Sequence, residues 1–377
     1  METGASLAPR IDTYLEGICE KLQITPTQYE SAEERYLAVA NWLNAEGSRL
    51  LVFRPVIFPQ GSLRIGTTVR PLKRKEFDLD FVCEFDVDWR RFRNPVDLLD
   101  LLEGRIRDHK LYREMCERKN RCIRIYYADD FYMDILPACP DKEAGGTCLL
   151  VPDCEARDWK ASNPKGYAEW FEARARREMV ALKRSVEPIP DQESADEKPP
   201  FKLAVQLLKR CRDIFFAENP ENAPISIVLT TLAASHYSQE RSVNVALMNI
   251  LSGIVAEINA LPPGGRIVVC NPSNRDEDLS ERWDNNREAW QAFVGFIQTF
   301  HRQWQALNQQ HGIDAIAGVL EKLFGEEPTK TVIKEAASAM QAQREAGKLS
   351  VAKSSGIIVG SSTSDSTRIR PNTFYGE

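Results

Sequence analysis

Apolar residues recur at helical spacing toward both ends of the chain and at strand spacing in between. Ile11, Leu15, Ile18 and Leu22 share one stripe and predict a helix over residues 11–22. Thr25-Pro26 then signals a helix start, and residues 29–51 read as one long amphipathic helix bracing whatever follows. Residues 58–80 (FPQGSLRIGTTVRPLKRKEFDLD) read as a strand, a Gly-Ser turn, a short helix, a basic loop and a second strand. Asn94-Pro95 caps a helix running to about Met115. Residues 121–127 and 131–136 alternate around Ala128-Asp129-Asp130, the composition of a hairpin turn. Residues 141–160 read as irregular, with Gly145-Gly146 and Pro152, and 164–185 as helical.

The second half is mostly helical in pattern. Residues 186–200 (VEPIPDQESADEKPP) are polar and proline-rich and predict a mobile surface insertion. Residues 201–216 and 225–237 form a helical pair, and 240–261 another helix ended by Pro262-Pro263-Gly264-Gly265. A short strand-like run at 266–270 precedes a polar stretch at 271–284. Trp290, Phe293, Phe296, Phe300 and Trp304 form a stripe over 286–311 that reads as core, and helices at 313–324 and 329–344 follow. The Ser, Thr and Gly content of 350–367 predicts disorder in the tail. The expected architecture is α+β, with three parts. Residues 1–160 hold N-terminal helices and a small mixed sheet backed by helices, 161–345 a helical lobe completing a cleft, and 346–377 a disordered tail.

Composition narrows the classes. At 377 residues and 43% apolar, the chain buries a sizeable core in two packed lobes. No apolar run approaches the ~20 residues of a membrane span, and no signal-peptide core opens the chain, so no membrane partner is expected. Nine cysteines without C-x-x-C spacing fit free thiols in a reducing cytoplasm, and none of the four histidines sits near Cys139, Cys148 or Cys154 to make a zinc module. The net charge of −6 argues against stable binding of long nucleic acid. Positive charge is local, at 70–75, at Arg90, Arg91 and Arg93, and along 174–184, where it reads mainly as solvated faces.

Chemistry concentrates in 58–80. A Gly61-Ser62 turn offers bare backbone N–H groups and a hydroxyl to a phosphate. Asp78 and Asp80, two residues apart on a strand, project from one face roughly 7 Å apart, and paired carboxylates suit hard divalent cations. Asp134 lies between Met133 and Ile135, where a carboxylate is costly unless it meets a cation. Asp86 and Asp88 repeat the D-x-D spacing beyond the apolar run and read as a solvated strand end, and Asp129 and Asp130 as turn residues.

The succession GSLRIGTT, FDLDF and YMDILPA resembles the polymerase β-like nucleotidyltransferase superfamily, and within it the bacterial cGAS/DncV-like nucleotidyltransferases of CBASS anti-phage defence. SNPKGYAEWF (162–171), FKLAVQLLKRCRDIFF (201–216) and PISIVLTTLAA (224–234) extend the likeness over roughly 55–286. The spacer of fifteen residues between Ser62 and Asp78 is at the long end for the superfamily. The resemblance implies that NTPs such as ATP and GTP are joined, with release of pyrophosphate, into a cyclic di- or trinucleotide. It implies Asp78, Asp80 and Asp134 as catalytic ligands of Mg²⁺ or Mn²⁺, and Gln60, Gly61 and Ser62 at the triphosphate. It also implies Lys202 and Ser226 as holders of the donor triphosphate, with Lys209 on nearly the same face as Lys202. A downstream effector that binds the product is a further implied partner, as is an E1/E2-like conjugating partner or other regulator acting at a tail ending Phe374-Tyr375-Gly376-Glu377 or elsewhere; an ordinary frayed terminus fits that tail as well. Two other readings stay open: a template-independent transferase acting on RNA or protein, and a non-catalytic nucleotide-binding scaffold.

Overall fold

A computed structural model describes residues 8–72, 77–127, 131–175, 186–310 and 312–346, and the backbone of 350–352, 358–359 and 366–368. Helix α1 (Ala8–Leu22) buries Ile11, Leu15, Ile18 and Leu22, as its stripe predicts. Those residues enter the core of the helical lobe rather than that of the sheet, although α1 opens the chain. Helix α2 (Pro26–Leu43) starts at a capping box: Gln28 N donates to Thr25 Oγ1 at 3.2 Å, and Thr25 N to Gln28 Oε1 at 3.0 Å. It ends eight residues short of the expected 51, because Asn44 closes it and Gly47 turns the chain at φ +82°. A single 3₁₀ turn at Leu51–Phe53 is all that remains of the longer rod.

A seven-stranded mixed sheet forms the first lobe, in the order β1-β2-β5-β4-β3, with β6 on β5 and β7 on β6. Strand β1 (Val56–Pro59) leads through the single turn of α3 (Gly61–Arg64) and a loop to β2 (Phe77–Glu84). The expected helix at 94–115 is two, α4 (Val96–Arg107) and α5 (Lys110–Met115), broken at Asp108-His109. Strands β3 (Cys116–Arg118), β4 (Ile123–Tyr127) and β5 (Phe131–Pro140) follow, and the turn expected at 128–130 lies outside the described residues. The stretch expected to be irregular is a hairpin, β6 (Leu149–Asp153) and β7 (Asp158–Ser162). Pro152 and the flanking glycines hid it, although Leu149, Val151 and Asp153 alternate onto a buried face.

Strand β2 runs parallel to β5 and antiparallel to β1, and β4 antiparallel to β5. Phe77, Leu79, Phe81, Ile123, Ile125, Phe131, Met133 and Ile135 fill one face of the sheet, packed with the buried side chains of α2 and α4. Their strand neighbours are therefore on the opposite face, which turns to the second lobe. Tyr36 of α2 stacks on Phe81 with ring centroids 4.2 Å apart, bracing β2 from behind.

The second lobe begins with α6 (Pro164–Arg174), and the rest of the helix expected to 185 lies outside the described residues. The proline-rich segment at 186–200 is not a loose insertion. Ile189 and Ala195 are buried, Glu187 N donates to Ile57 O at 2.8 Å, and Gln192 Nε2 to Ile24 O at 2.8 Å. Part of its polarity is used in contacts, Gln192 with Ile24 O, Glu193 with Lys202 and Lys198 with Gln23, while Asp191, Asp196 and Glu197 stay exposed. Helices α7 (Pro200–Phe215), α8 (Ser226–His236) and α9 (Val243–Asn259) follow the sequence pattern. The short strand expected at 266–270 is displaced to a hairpin of β8 (Cys270–Asn271) and β9 (Asn274–Asp278). After the short α10 (Arg282–Asn285), α11 (Arg287–Leu307) buries Phe293, Phe296, Phe300 and Trp304, with α12 (Ile313–Phe324) beside it and α13 (Glu326–Glu345) packed on α12 and α1. Each such side chain contributes about 2–3 kcal/mol on burial. Within the tail predicted to be disordered, the described backbone pairs as three short strands, Ser350–Ala352 with Ile358–Val359 and Ser366–Arg368. The β-branched Val351, Ile358 and Val359 suit pairing locally despite the Ser and Thr around them.

Tyr36 also ties the segment at 186–200 to the sheet, since its hydroxyl donates to Glu187 O at 2.6 Å and lies 3.2 Å from Ile57 O. Tyr36→Phe keeps the stacked ring and removes only that link. The expected loss is about 1 kcal/mol, read as a lower midpoint in urea denaturation, with faster amide exchange at 186–190. An unchanged midpoint and unchanged exchange would show that the hydroxyl contributes nothing.

Candidate active site

A cleft of about 770 Å³ lies between the sheet and the helical lobe. Gln60, Gly61, Ser62, Asp78, Asp80 and Tyr132 line it from the sheet, and Lys209, Arg212, Asp213 and Ser226 from α7 and α8. Asn271, Glu277 and Arg282 close one end. Six of the eight residues singled out from the sequence thus meet in one place, and Asp134 and Lys202 do not line it.

The turn after β1 is built against the carboxylates. Gln60 N donates to Asp80 O at 2.8 Å, holding the turn onto β2. Gly61 sits at φ +64°, and a Cβ there would fall 2.5 Å from Asp80 Oδ2. Only glycine fits both the left-handed backbone and the approach. The Ser62 hydroxyl lies 3.3 Å from Thr68 Oγ1.

Parallel pairing sets Asp80 beside Asp134 and Asp78 beside Tyr132, so the three aspartates share the cleft-side face. Burial pushes the Asp80 carboxyl up to about 7, and repulsion from Asp78 and then Asp134 adds to it. Asp78 keeps its side chain open to the cleft. Even so, the surrounding protein thins its water enough to raise the carboxyl, against the lowering effect of the Tyr132 hydroxyl bonded to it. Among the described residues no lysine or arginine lies within ion-pair distance of Asp78 or Asp80.

Asp134 meets the cation that its apolar strand demands, and that cation is a side chain. Arg124 Nε donates to Oδ1 at 2.8 Å and Nη2 to Oδ2 at 2.7 Å. Among the described residues no three acidic, histidine or cysteine side chains converge as a ready-made cation site. Asp78 and Asp80 nevertheless fit a divalent cation: they share one face two residues apart, are acceptor-rich and mutually repelling, and have no cationic partner among the described residues. Asp86 and Asp88 stay at the solvated strand end, where Asp88 accepts from Arg90 N at 3.0 Å. Asp129 and Asp130 lie outside the described residues.

Lys202 is corrected by its surroundings. Its side chain is 2% exposed, and Nζ lies 2.7 Å from Glu172 Oε1 and 3.7 Å from Glu193 Oε1, in an ion cluster joining α6, α7 and the 186–200 segment. Seven residues on, Lys209 is the α7 lysine that lines the cleft. Its Nζ donates to Thr67 O at 3.0 Å and is 3.2 Å from Thr67 Oγ1. Burial, then repulsion from Arg212, depresses it to about 7, and a bound anion would favour its charged form. Ser226 lines the cleft as expected and accepts from Arg212 Nη1 at 2.6 Å. Arg124, Tyr132 and Arg212 were not singled out from the sequence. For Arg124 and Tyr132 the signal was present, since the alternating arms of an antiparallel pair set Arg124 opposite Asp134 and put Tyr132 on the same face.

Matches to known proteins identify the family. Residues 10–174 match the Second Messenger Oligonucleotide or Dinucleotide Synthetase domain. A c-di-GMP synthase of Roseivirga ehrenbergii is 32% identical over 371 residues, 98% of each chain. Among solved structures, the CD-NTase CdnG of Bradyrhizobium diazoefficiens in complex with GTP superposes with a TM-score of 0.71 at 25% identity, covering 87% of this chain and 99% of that one. Escherichia coli DncV in its 3′-deoxy GTP bound form shares the fold at a TM-score of 0.58 and 17% identity, over 82% of this chain and 93% of its own. The chain belongs to the cGAS/DncV-like nucleotidyltransferases, the enzymes that join nucleotides into cyclic oligonucleotide second messengers.

Proposed function

We propose that this nucleotidyltransferase condenses two GTP molecules into cyclic di-GMP in the cleft between its lobes. The observation that carries the reading is the packing of Asp80 directly over Gly61, which puts a carboxylate pair and a phosphate-sized turn in contact. The choice of base follows the c-di-GMP synthase that matches the chain end to end.

The triphosphate of the donor would lie against the Gly61-Ser62 turn, with Gln60 beside it and Lys209 and Ser226 facing it from the helical lobe. Asp78 and Asp80 would hold Mg²⁺ or Mn²⁺, with Asp134 as a third ligand. When bound, the cation offsets charge on the phosphates and lowers the cost of ionising the acceptor hydroxyl. The 3′-oxygen of one nucleotide attacks the α-phosphorus of the other, the bond to the β-phosphate breaks, and pyrophosphate leaves. The hydroxyl proton passes to a carboxylate of the aspartate group, for which Asp134 is the candidate. A second round between the ends of the linear intermediate closes the ring and releases a second pyrophosphate. The chain's own contribution is to align two nucleotides and balance charge. In this reading the product signals phage infection to an effector. A cytoplasmic setting belongs to this reading; no described helix is long and apolar enough to cross a membrane. A partner acting on the C-terminus would engage residues 369–377, which lie outside the described residues.

Purified protein with GTP and Mg²⁺, or Mn²⁺, is expected to yield a phosphatase-resistant species with the mass of cyclic di-GMP. A phosphatase-sensitive ladder, or label on protein, would instead point to the transferase reading. The Asp78→Asn/Asp80→Asn double variant keeps side-chain volume and loses ligand charge, so product is expected to vanish while circular dichroism is unchanged.

The two lysines of α7 are expected to separate cleanly. Lys209→Ala raises KM for GTP with a smaller effect on kcat, because its contact exists in ground and transition states alike. Lys202→Ala instead strands a buried Glu172 and is expected to lower stability by about 3–5 kcal/mol. A raised KM in an otherwise fully stable Lys202→Ala would restore the original assignment. Gly61→Ala, which drives a methyl group into Asp80, is expected to remove most activity while the thermal midpoint falls only slightly.

A further inference from the structure

Arg124, Asp134 and Asp80 occupy paired positions on three neighbouring strands, β4, β5 and β2. They share one face, so the guanidinium and the two carboxylates stand in a row across the sheet. The fork from Arg124 engages both oxygens of Asp134, at 2.8 and 2.7 Å, and the two side chains are only 22% and 16% exposed. The same guanidinium lies 3.7 Å from the ring centroid of Tyr132, whose hydroxyl bonds to Asp78. Arg124 is therefore pinned by a fork and a stacked ring. Asp78 and Asp80 open on the cleft, and Asp134, though on their face, does not line it.

We propose that Arg124 is a positioning residue that holds Asp134 back from the other two aspartates, a latch that must release before the third carboxylate joins them on a divalent cation. The inference rests on the reading of Asp78, Asp80 and Asp134 as the cation ligands. Its physical basis is charge balance in a row of carboxylates. Three of them on adjacent strands repel one another, and a bidentate arginine is the strongest neutral-pH partner a protein can offer one of them. While the fork is closed, Asp134 has an ion-pair partner, and Asp78 and Asp80 have none among the described residues. Asp134 needs only to turn its side chain toward Asp80, across the ~4.8 Å between paired strands, to change partners. Arg124 can stay on the Tyr132 ring as it lets go, so release leaves the cation stacked rather than buried and alone.

The test is Mn²⁺ binding followed by electron paramagnetic resonance on the full-length protein, without nucleotide and with a non-hydrolysable GTP analogue. Arg124→Gln removes the fork and is expected to tighten Mn²⁺ binding on the order of tenfold, the scale at which partners of metal ligands alter affinity. The gain is expected to disappear in Arg124→Gln/Asp134→Asn, because the freed carboxylate is its source. Without Mn²⁺, Arg124→Gln is expected to melt lower than wild type, and Mn²⁺ to raise its midpoint more than that of wild type. Arg124→Lys keeps the charge without the fork and serves if the glutamine variant does not fold; an intermediate gain is expected. Binding that depends on Asp78 and Asp80 but is equal or weaker in both Arg124 variants overturns the latch and leaves the cation reading standing. No binding in any of the proteins, with or without the nucleotide analogue, overturns both.

Discussion

Repulsion among carboxylates on one face of a parallel strand pair is the constraint that shapes this molecule. Asp80 and Asp134 are register partners on β2 and β5, and Asp78 follows two residues from Asp80 on the same face. A fold that buries such a row must either protonate it, pair it or present it to a cation. This chain does all three in part. The Asp80 carboxyl is pushed up to about 7, Asp134 is forked by Arg124, and Asp78 opens on the cleft. The back of the sheet absorbs the mechanical side of the arrangement, with Tyr36 stacked on Phe81 immediately after Asp80.

The cleft is set by what locks the lobes together. Arg121 of the sheet lobe pairs with Asp153 and with Glu281, and Lys160 with the other oxygen of Glu281. Glu277 accepts from Asn163 N at 3.1 Å and from Asn271 Nδ2 at 2.7 Å. On the far side the 186–200 segment bonds to α2 and to β1, and the buried cluster of Lys202 with Glu172 and Glu193 joins it to α6 and α7. Breaking such a buried cluster leaves an uncompensated charge, so these contacts hold the lobes in one relation. Lys209 and Arg212 are thereby held opposite the Gly61 turn.

The rod expected at 29–51 and the loose insertion expected at 186–200 went astray for related reasons. Periodicity reports which face of a segment is apolar, and Leu50, buried beyond the helix end, kept the pattern going past Asn44. Proline and charge in 186–200 report an absence of helix or strand, which composition alone equates with solvent. Backbone N–H and C=O groups of a neighbouring strand can satisfy such a segment just as well, as Ile57 does for Glu187. The sequence reading of Lys202 failed differently. Lys202 and Lys209 are two helical turns apart on one side of α7, and helical phase cannot tell a face turned to an acidic neighbour from one turned to a cleft.

Local rules sufficed for the α+β class, the Gly61-Ser62 turn, the shared face of Asp78 and Asp80 and the aromatic core of α11, because each depends on residues a few positions apart. The family was legible too, since its motifs are short. Tertiary structure alone decided which lysine reaches the cleft and that the 186–200 segment is a tie between lobes. Those outcomes depend on which groups meet across the sheet and between the lobes, and pairing energies over such distances leave no local trace in the chain.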